Sequence, residues 1–444
     1  MKNYLYVRFV SLSERRVRQI LNFRWVVVLT FLLTSNILSA VEPDNKLNVE
    51  ITLQHAVQIA LKENPKIERS MAQYNALAQL PEQMGAVPEP RLILNAVNFP
   101  VDSFSLSQTP MTQMQFGISQ SLPFPGKLAL KQNVAEKESL ANRELIASTK
   151  QSIVRSVKHL WWQLFYLDRS LDTVAGNLKL LAEFIDVAET KYTVGKGLQQ
   201  EVLLAHVELA KLEDSQLQIN AMREKAQASF NAMLNRDTAT IVKLSKIVSK
   251  ALPEIEPLSQ LLNQATEMRP EIRTAILHIS AASSRMVLAD KDYYPDFQLG
   301  ATYGWRQDQT GLASMQFSMN LPFNTEKRQD KKKDQRKHEW LQQKFALEDM
   351  KNTVAEEIHQ ALADYERSRK QVLIYQDRII PQASQTVDSM LAGYQVNKVD
   401  FLNLLRSQVN LFNFQTQYWW ALSSANQALA ALEYAVGKEV THEK

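Results

Sequence analysis

The side chains best suited to chemistry are not grouped in any pattern that chemistry requires. Seven histidines, His55, His159, His206, His278, His338, His359 and His442, are scattered, and no two stand three or four residues apart as a ligand pair on one helix face. There is no cysteine, which removes disulfides, thiolate metal sites, a cysteine nucleophile and a lipid-modified N-terminal cysteine together. Glu356-Glu357 lies among helix-forming residues and reads as a solvated pair, and no phosphate-cradling glycine loop, dinucleotide fingerprint, HExxH or GxSxG is present. Met111 and Met114 have soft sulfur, but isolated methionines in a loop and a strand read first as structural. The run Lys327 to Lys337 is basic yet interleaved with acids and free of aromatics, so it reads as a solvated helix start beside a membrane rather than a nucleic-acid patch. The expectation is a protein that is not an enzyme, with no cofactor, no resident metal and no nucleic-acid partner.

What must be positioned, then, is a set of surfaces. Of 51 basic and 47 acidic residues, Lys2, Arg8, Arg15, Arg16, Arg18, Arg24 and Glu14 fall in the first 40, leaving 45 against 46 in the rest, which is close to neutral. The basic leader precedes an apolar run, Trp25 to Leu38, and then Ser39-Ala40 before the polar Val41-Glu42-Pro43-Asp44, the order of a secretory signal. A signal peptide over residues 1–40 is expected, with an uncleaved signal anchor as the alternative. No later stretch is long and apolar enough for a spanning helix, so any further crossing would fall to strands.

The second half repeats the first at an offset of about 200 residues. Tyr192-Thr193-Val194-Gly195 aligns with Tyr394-Gln395-Val396-Asn397, Leu122-Pro123-Phe124 with Leu321-Pro322-Phe323, and Asn64-Pro65-Lys66-Ile67 with Arg269-Pro270-Glu271-Ile272. The divide falls near Pro253 to Pro257. Two tandem repeats are expected, residues 41–252 and 253–444. The first holds a helix, strands near 91–99 and 114–122, a long helix 127–192, a tip and a return helix 198–236. The second holds a helix 258–293, strands near 296–305 and 315–321, a long helix 327–394, a tip and a return helix 399–437. Alternation of apolar and polar residues marks three of the strands cleanly, with Gln120 the exception in its run, whereas Arg91 to Phe99 alternates poorly. A proline-free helix from Lys127 to Tyr192 would reach roughly 100 Å at about 1.5 Å per residue. Pro381 should kink or end its counterpart. The narrow apolar stripe Leu160, Leu164, Leu167, Leu171 needs neighbouring helices, and four strands cannot enclose a pore alone, so several copies must contribute. The doublets Trp161-Trp162 and Trp419-Trp420 read as packing between helices.

These features resemble the TolC-type outer-membrane efflux proteins across nearly the whole mature length. The resemblance is carried by the repeat, by Leu53 to Pro65, by Ser121 to Leu128, by the tips Tyr192 to Ala205 and Tyr394 to Ser407, and by Leu321-Pro322-Phe323 with its basic follower. It implies a mainly α fold with a membrane β-barrel. In a homotrimer, four strands per chain would make one twelve-stranded barrel, and paired long helices would make a periplasmic α-barrel tunnel. It implies an outer-membrane location with a periplasmic helical portion and contact with outer-membrane lipid. The partners implied are a periplasmic membrane fusion (adaptor) protein and an inner-membrane resistance-nodulation-division pump. Val194, Gly195, Val396 and Asn397 would form the adaptor-docking tips. The acidic entrance ring of the best-known members falls here on Asn403 and Arg406, which makes anion tolerance plausible. Glu201 is expected to pair with Lys398 or Arg406 and hold the tips shut.

The expected function is a passive exit duct for small toxic solutes, driven by the pump. The segment Asn98 to Leu128 looks most like the heavy-metal branch. Two alternatives remain at this point: a duct for drugs or secreted polypeptides, and a periplasmic coiled-coil adaptor or scaffold that never enters a membrane.

Overall fold

The computed structural model describes residues 50–245 and 251–440. The expected signal peptide lies outside the described residues. In chain order the elements are α1 (Leu53–Glu63), α2 (Pro65–Leu77), α3 (Leu80–Gly85), β1 (Arg91–Val97), β2 (Gln113–Leu122), α4 (Lys127–Thr193) and α5 (Gln199–Met233). The second half supplies α6 (Leu258–Met268), α7 (Pro270–Asp290), β3 (Phe297–Trp305), β4 (Leu312–Met319), α8 (Gln329–Ile374), α9 (Ile380–Gln395) and α10 (Phe401–Val436). The fold is the expected one, long helices with a small antiparallel sheet.

The sheet has the order β1-β2-β3-β4, all antiparallel, so β1 and β4 are its free edges. Its register brings like faces together. Leu94 pairs with Phe116 and Phe116 with Tyr303; Ile118 pairs with Ala301 and Ala301 with Met315; Leu299 pairs with Phe317. Because strand side chains alternate, these residues form one continuous apolar face, and Leu92, Leu94, Phe116, Ile118, Leu299, Tyr303, Met315 and Phe317 are all exposed on it. The opposite face carries small and polar rows such as Ser119, Gly300 and Gln316. Gln120, the polar intruder on the apolar side, donates from Nε2 to the Pro88 carbonyl at 2.6 Å, which spares it an unmade hydrogen bond. No helix among the described residues is long and apolar enough to cross a membrane.

The long helices pack by a periodic seam. In α4 the buried positions Ile153, Val157, Trp161, Leu164, Leu167, Ser170, Val174, Asn177, Leu181, Phe184 and Ala188 advance in steps of three and four, the spacing of a left-handed coiled coil. Leu164 and Leu167 are buried, and Leu160 and Leu171 pack at the cluster's margin. Trp161 is 1% exposed, donates from Nε1 to the Ile51 carbonyl at 3.2 Å, and meets Trp162 edge on at 5.0 Å. Trp419 reaches the same group through Phe165, while Trp420 stands outward beneath the Arg367 guanidinium.

The repeated dipeptides Asn64-Pro65 and Arg269-Pro270 do equivalent work. Proline suits the first turn of a helix, where its missing N–H is no loss. Asn64 donates to the Met233 carbonyl at 2.8 Å, and Arg269 to the Tyr434 carbonyl at 2.6 Å, so each satisfies a carbonyl near the end of its own return helix. Arg269 is almost fully buried, yet it is neutralised by Glu271 and Glu357 at 2.8 and 2.9 Å.

Three expected boundaries are corrected. The single helix 258–293 is broken at Arg269, whose extended backbone separates α6 from α7, because a residue before proline avoids the helical region. The strand expected at 315–321 runs instead over Leu312–Met319, drawn upward by its pairing with β3 as far as Gly304↔Leu312. The long helix 327–394 opens with a 3-10 turn at Thr325–Lys327 and is interrupted by a π-turn at Tyr375–Ile379. Pro381 explains the second interruption: its ring would collide with the carbonyl of Asp377, and widening the helix there makes room.

Candidate functional site at the helical tips

The helices α4 and α5 meet in one tip, and α9 and α10 in another. Both turns are built alike. Gly195 and Asn397 have φ of 70° and 58°, a left-handed conformation that glycine adopts freely and asparagine tolerates. In the first tip Gly195 N–H donates to the Tyr192 carbonyl and Lys196 N–H to the Lys191 carbonyl. In the second, Asn397 N–H donates to Tyr394 and Lys398 N–H to Gly393. This is the Schellman closure, which satisfies the last carbonyls of each descending helix.

The two tips are joined by a side chain the sequence reading passed over. Lys191, from the first tip, donates from Nζ to the Tyr394 carbonyl and to Asn397 Oδ1, the latter at 2.7 Å, and lies 3.8 Å from the Tyr394 ring centroid. Tyr394 is 4% exposed, packs against Phe401 at 5.3 Å, and donates its hydroxyl to Glu201 Oε2 at 3.3 Å. Burial, followed by the Glu201 charge and hydrogen bond and the Asp400 charge, pushes the Tyr394 phenol above its ordinary range. Around this contact Leu181, Phe184, Ala188, Ala205, Leu404 and Leu405 make one apolar cluster shared by both tips.

Val194 and Val396, at the turn apices, are both 61% exposed. Within one chain the expected Glu201 pairing is not formed. Glu201 is engaged by Tyr394, whereas Lys398, Asn403 and Arg406 stand exposed, and no ion pair joins Glu201 to Lys398 or Arg406 among the described residues. One signal for Lys191 was available in the sequence, since the equivalent position of the second repeat is Gly393.

At the other end of the long helices the strands are pinned to them. Lys127, buried at the start of α4, donates to Asp296 Oδ1 at 2.9 Å and to the Tyr294 carbonyl at 3.3 Å, and Phe124 N–H donates to the same Asp296 oxygen. Partial burial alone would raise the Asp296 carboxyl, but the Lys127 and Phe124 hydrogen bonds, with the Lys127 and Lys131 charges, hold it below the usual carboxylate range. Asp292 is shared between Lys127 at 3.6 Å and Lys332 at 2.5 Å. Among the described residues no cluster of His, Asp and Glu could hold a metal ion.

Known proteins bear on this arrangement directly. The model of the outer membrane efflux protein family matches residues 56–236 and 261–438. The cobalt-zinc-cadmium resistance protein CzcC of Cupriavidus metallidurans is 19% identical over 87% of this chain and 90% of its own length. Toxin and drug export protein A of Aggregatibacter actinomycetemcomitans is 21% identical over 42% of this chain and 40% of its own. Among solved structures, the outer membrane protein VceC of Vibrio cholerae superposes with a TM-score of 0.74 at 18% identity, covering 87% of this chain and 96% of VceC. CusC superposes with a TM-score of 0.76 at 16% identity, covering 88% and 93%. With a family model spanning both halves and the fold of outer-membrane channels, the chain belongs to the outer membrane efflux protein family.

Proposed function

We propose that the chain works as a homotrimer, an outer-membrane exit duct whose helical tips dock a periplasmic adaptor and so receive solutes from an inner-membrane pump of the resistance-nodulation-division type. The observation that carries this reading is the sheet. Four strands with an exposed apolar face and two unpaired edges are unsatisfied alone. β4 of one copy would run antiparallel to β1 of the next, and three copies would close twelve strands, which leaves every edge paired and a wall greasy outside and polar within. The two tandem repeats, 41–252 and 253–444, would then each contribute one strand hairpin and one helical hairpin. Val194, Gly195, Val396 and Asn397 would meet the adaptor, and Glu201, Lys398, Asn403 and Arg406 would border the entrance.

Heavy-metal cations are the proposed cargo, because the likeness to the cobalt-zinc-cadmium resistance protein spans most of both chains. The likeness to a toxin and drug export protein covers less than half of each and makes drugs or polypeptides the second reading. The test is the mass of detergent-extracted protein by light scattering, with co-purification of a bound adaptor. A trimer is expected; a water-soluble monomer would refute the proposal. Conductance across a planar bilayer tests the entrance: Arg406→Ala should shift selectivity toward cations, and no shift would remove Arg406 from it.

A further inference from the structure

The basic run after β4 has no part in the duct as described, and the structure gives it a setting. Met315, Phe317 and Met319 of β4 are exposed, and past its end the chain turns through Phe323 N–H to the Leu321 carbonyl with Leu321 and Phe323 still exposed, the latter at 84%. Phe323 is thus the last exposed apolar residue before the basic run, and Lys327, Arg328 and Lys331 follow within the next two turns of chain. Between the end of β4, the start of β3 and the first turns of α8 lies a cleft of about 810 Å³, lined by Leu321 and Pro322 on one side and by Arg328, Lys331 and Lys332 on the other.

Charge in the cleft is not balanced. Its two carboxylates, Asp292 and Asp296, are already neutralised by Lys127 and Lys332. Arg328 and Lys331 are exposed and have no ion-pair partner among the described residues. Two cations are thus left facing a cleft at the boundary where an apolar wall meets water, which is where a phospholipid carries its phosphate. A guanidinium offers two parallel donors to phosphate oxygens, and the neighbouring Leu321 and Phe323 suit the first methylenes of acyl chains.

We propose that this cleft binds the phosphate of an anionic phospholipid of the periplasmic-side leaflet, with Arg328 and Lys331 as its ligands. Lys332 and Lys127 hold the cleft's own carboxylates out of the way. The inference rests on the outer-membrane reading of β1 to β4. In a trimer the cleft would recur three times around the base of the barrel and fix the depth of the wall in the bilayer.

The full-length protein, extracted in mild detergent and offered phosphatidylglycerol or phosphatidylethanolamine, tests this by native mass spectrometry. Phosphatidylglycerol should be retained in preference, and Arg328→Ala with Lys331→Ala should weaken its retention roughly 20- to 30-fold, on the scale of each surface cation's contribution near an anionic bilayer. Arg328→Lys with Lys331→Arg should keep it. Lys179→Ala with Lys225→Ala removes the same charge elsewhere and should change nothing, and unfolding curves should show all variants folded. Equal retention of phosphatidylethanolamine, or equal loss in both alanine pairs, would overturn the proposal. So would displacement by millimolar inorganic phosphate but not by chloride at equal ionic strength, which would assign the cleft to a free anion. Failure of the outer-membrane reading looks different: the protein would leave the envelope without detergent.

Discussion

The two tips share one turn and differ in what holds it. Tyr394 is buried on Phe401, whereas Tyr192, its counterpart, is 47% exposed because Gln199 stands where the second tip has Phe401. The flanks of the turns are exchanged as well. A side chain at Gly197 would come within 3.0 Å of Lys191 Cβ, and one at Gly393 within 2.5 Å of Val399 Cγ2. Each turn therefore has room for one large residue across its neck, and the first tip places it on the descending helix while the second places it, as Val399, in the turn just before the returning one. That exchange frees Lys191 to reach across and hold the second tip. Duplication supplied two equivalent corners, and divergence made one an anchored corner and the other an open apolar surface of Tyr192, Val194 and Leu198.

The comparison is tested most severely by Tyr394→Ala. Loss of a buried aromatic ring should destabilise the tip cluster by about 3 kcal/mol, with hydrogen exchange accelerating in residues 181–205 and 390–405 together. If only the second tip loosened, the two would not share a core. Lys191→Met keeps the aliphatic stem but removes the donors, and should cost about 1.5 kcal/mol by the same measurement. Paired with Asn397→Ala in a double-mutant cycle, it should show coupling; strict additivity would remove the cross-tip contact from the account.

Alkali gives a third separation of the tips. The Tyr394 phenol has a folded value above its ordinary 10, so its stabilisation is complete below pH 10 and is lost as pH rises from there toward the folded value, since the unfolded chain sheds the proton first. Exchange at the second tip should therefore quicken above pH 10 in the native protein and stay flatter in Tyr394→Phe. The smallest effect on stability is expected from Tyr192→Ala, within about 0.5 kcal/mol as for other exposed positions. Its effect should appear in adaptor binding instead, measured by co-purification, and a variant that binds normally would shift docking to the second tip.

Part of this organisation was legible in advance. Alternation in Phe297 to Trp305 and Met114 to Leu122 exposes strand faces because side chains on a strand have a period of two whatever lies around them. The stripe through Leu164 and Leu167 exposes a helix seam for the equivalent reason, with a different period. The Lys191 contact was legible only as a break in the repeat, Lys191 against Gly393, since a long lysine can satisfy itself in water and nothing local says which hairpin it reaches. The missing Glu201 pair shows the converse: opposite charges close in the sequence need not meet within one folded chain, and here the Glu201 carboxylate accepts from the Tyr394 hydroxyl of the second tip.

The amino-acid sequence by itself determined the repeat, the periods of strand and helix, the absence of thiol chemistry and the positive-φ corners at Gly195 and Asn397, because each follows from local backbone sterics or side-chain type. Tertiary structure alone decided which tyrosine is buried and which cations around Lys127 and Arg328 are neutralised. Those outcomes depend on distances between segments far apart in the chain, and such distances exist only once the helices and strands have packed.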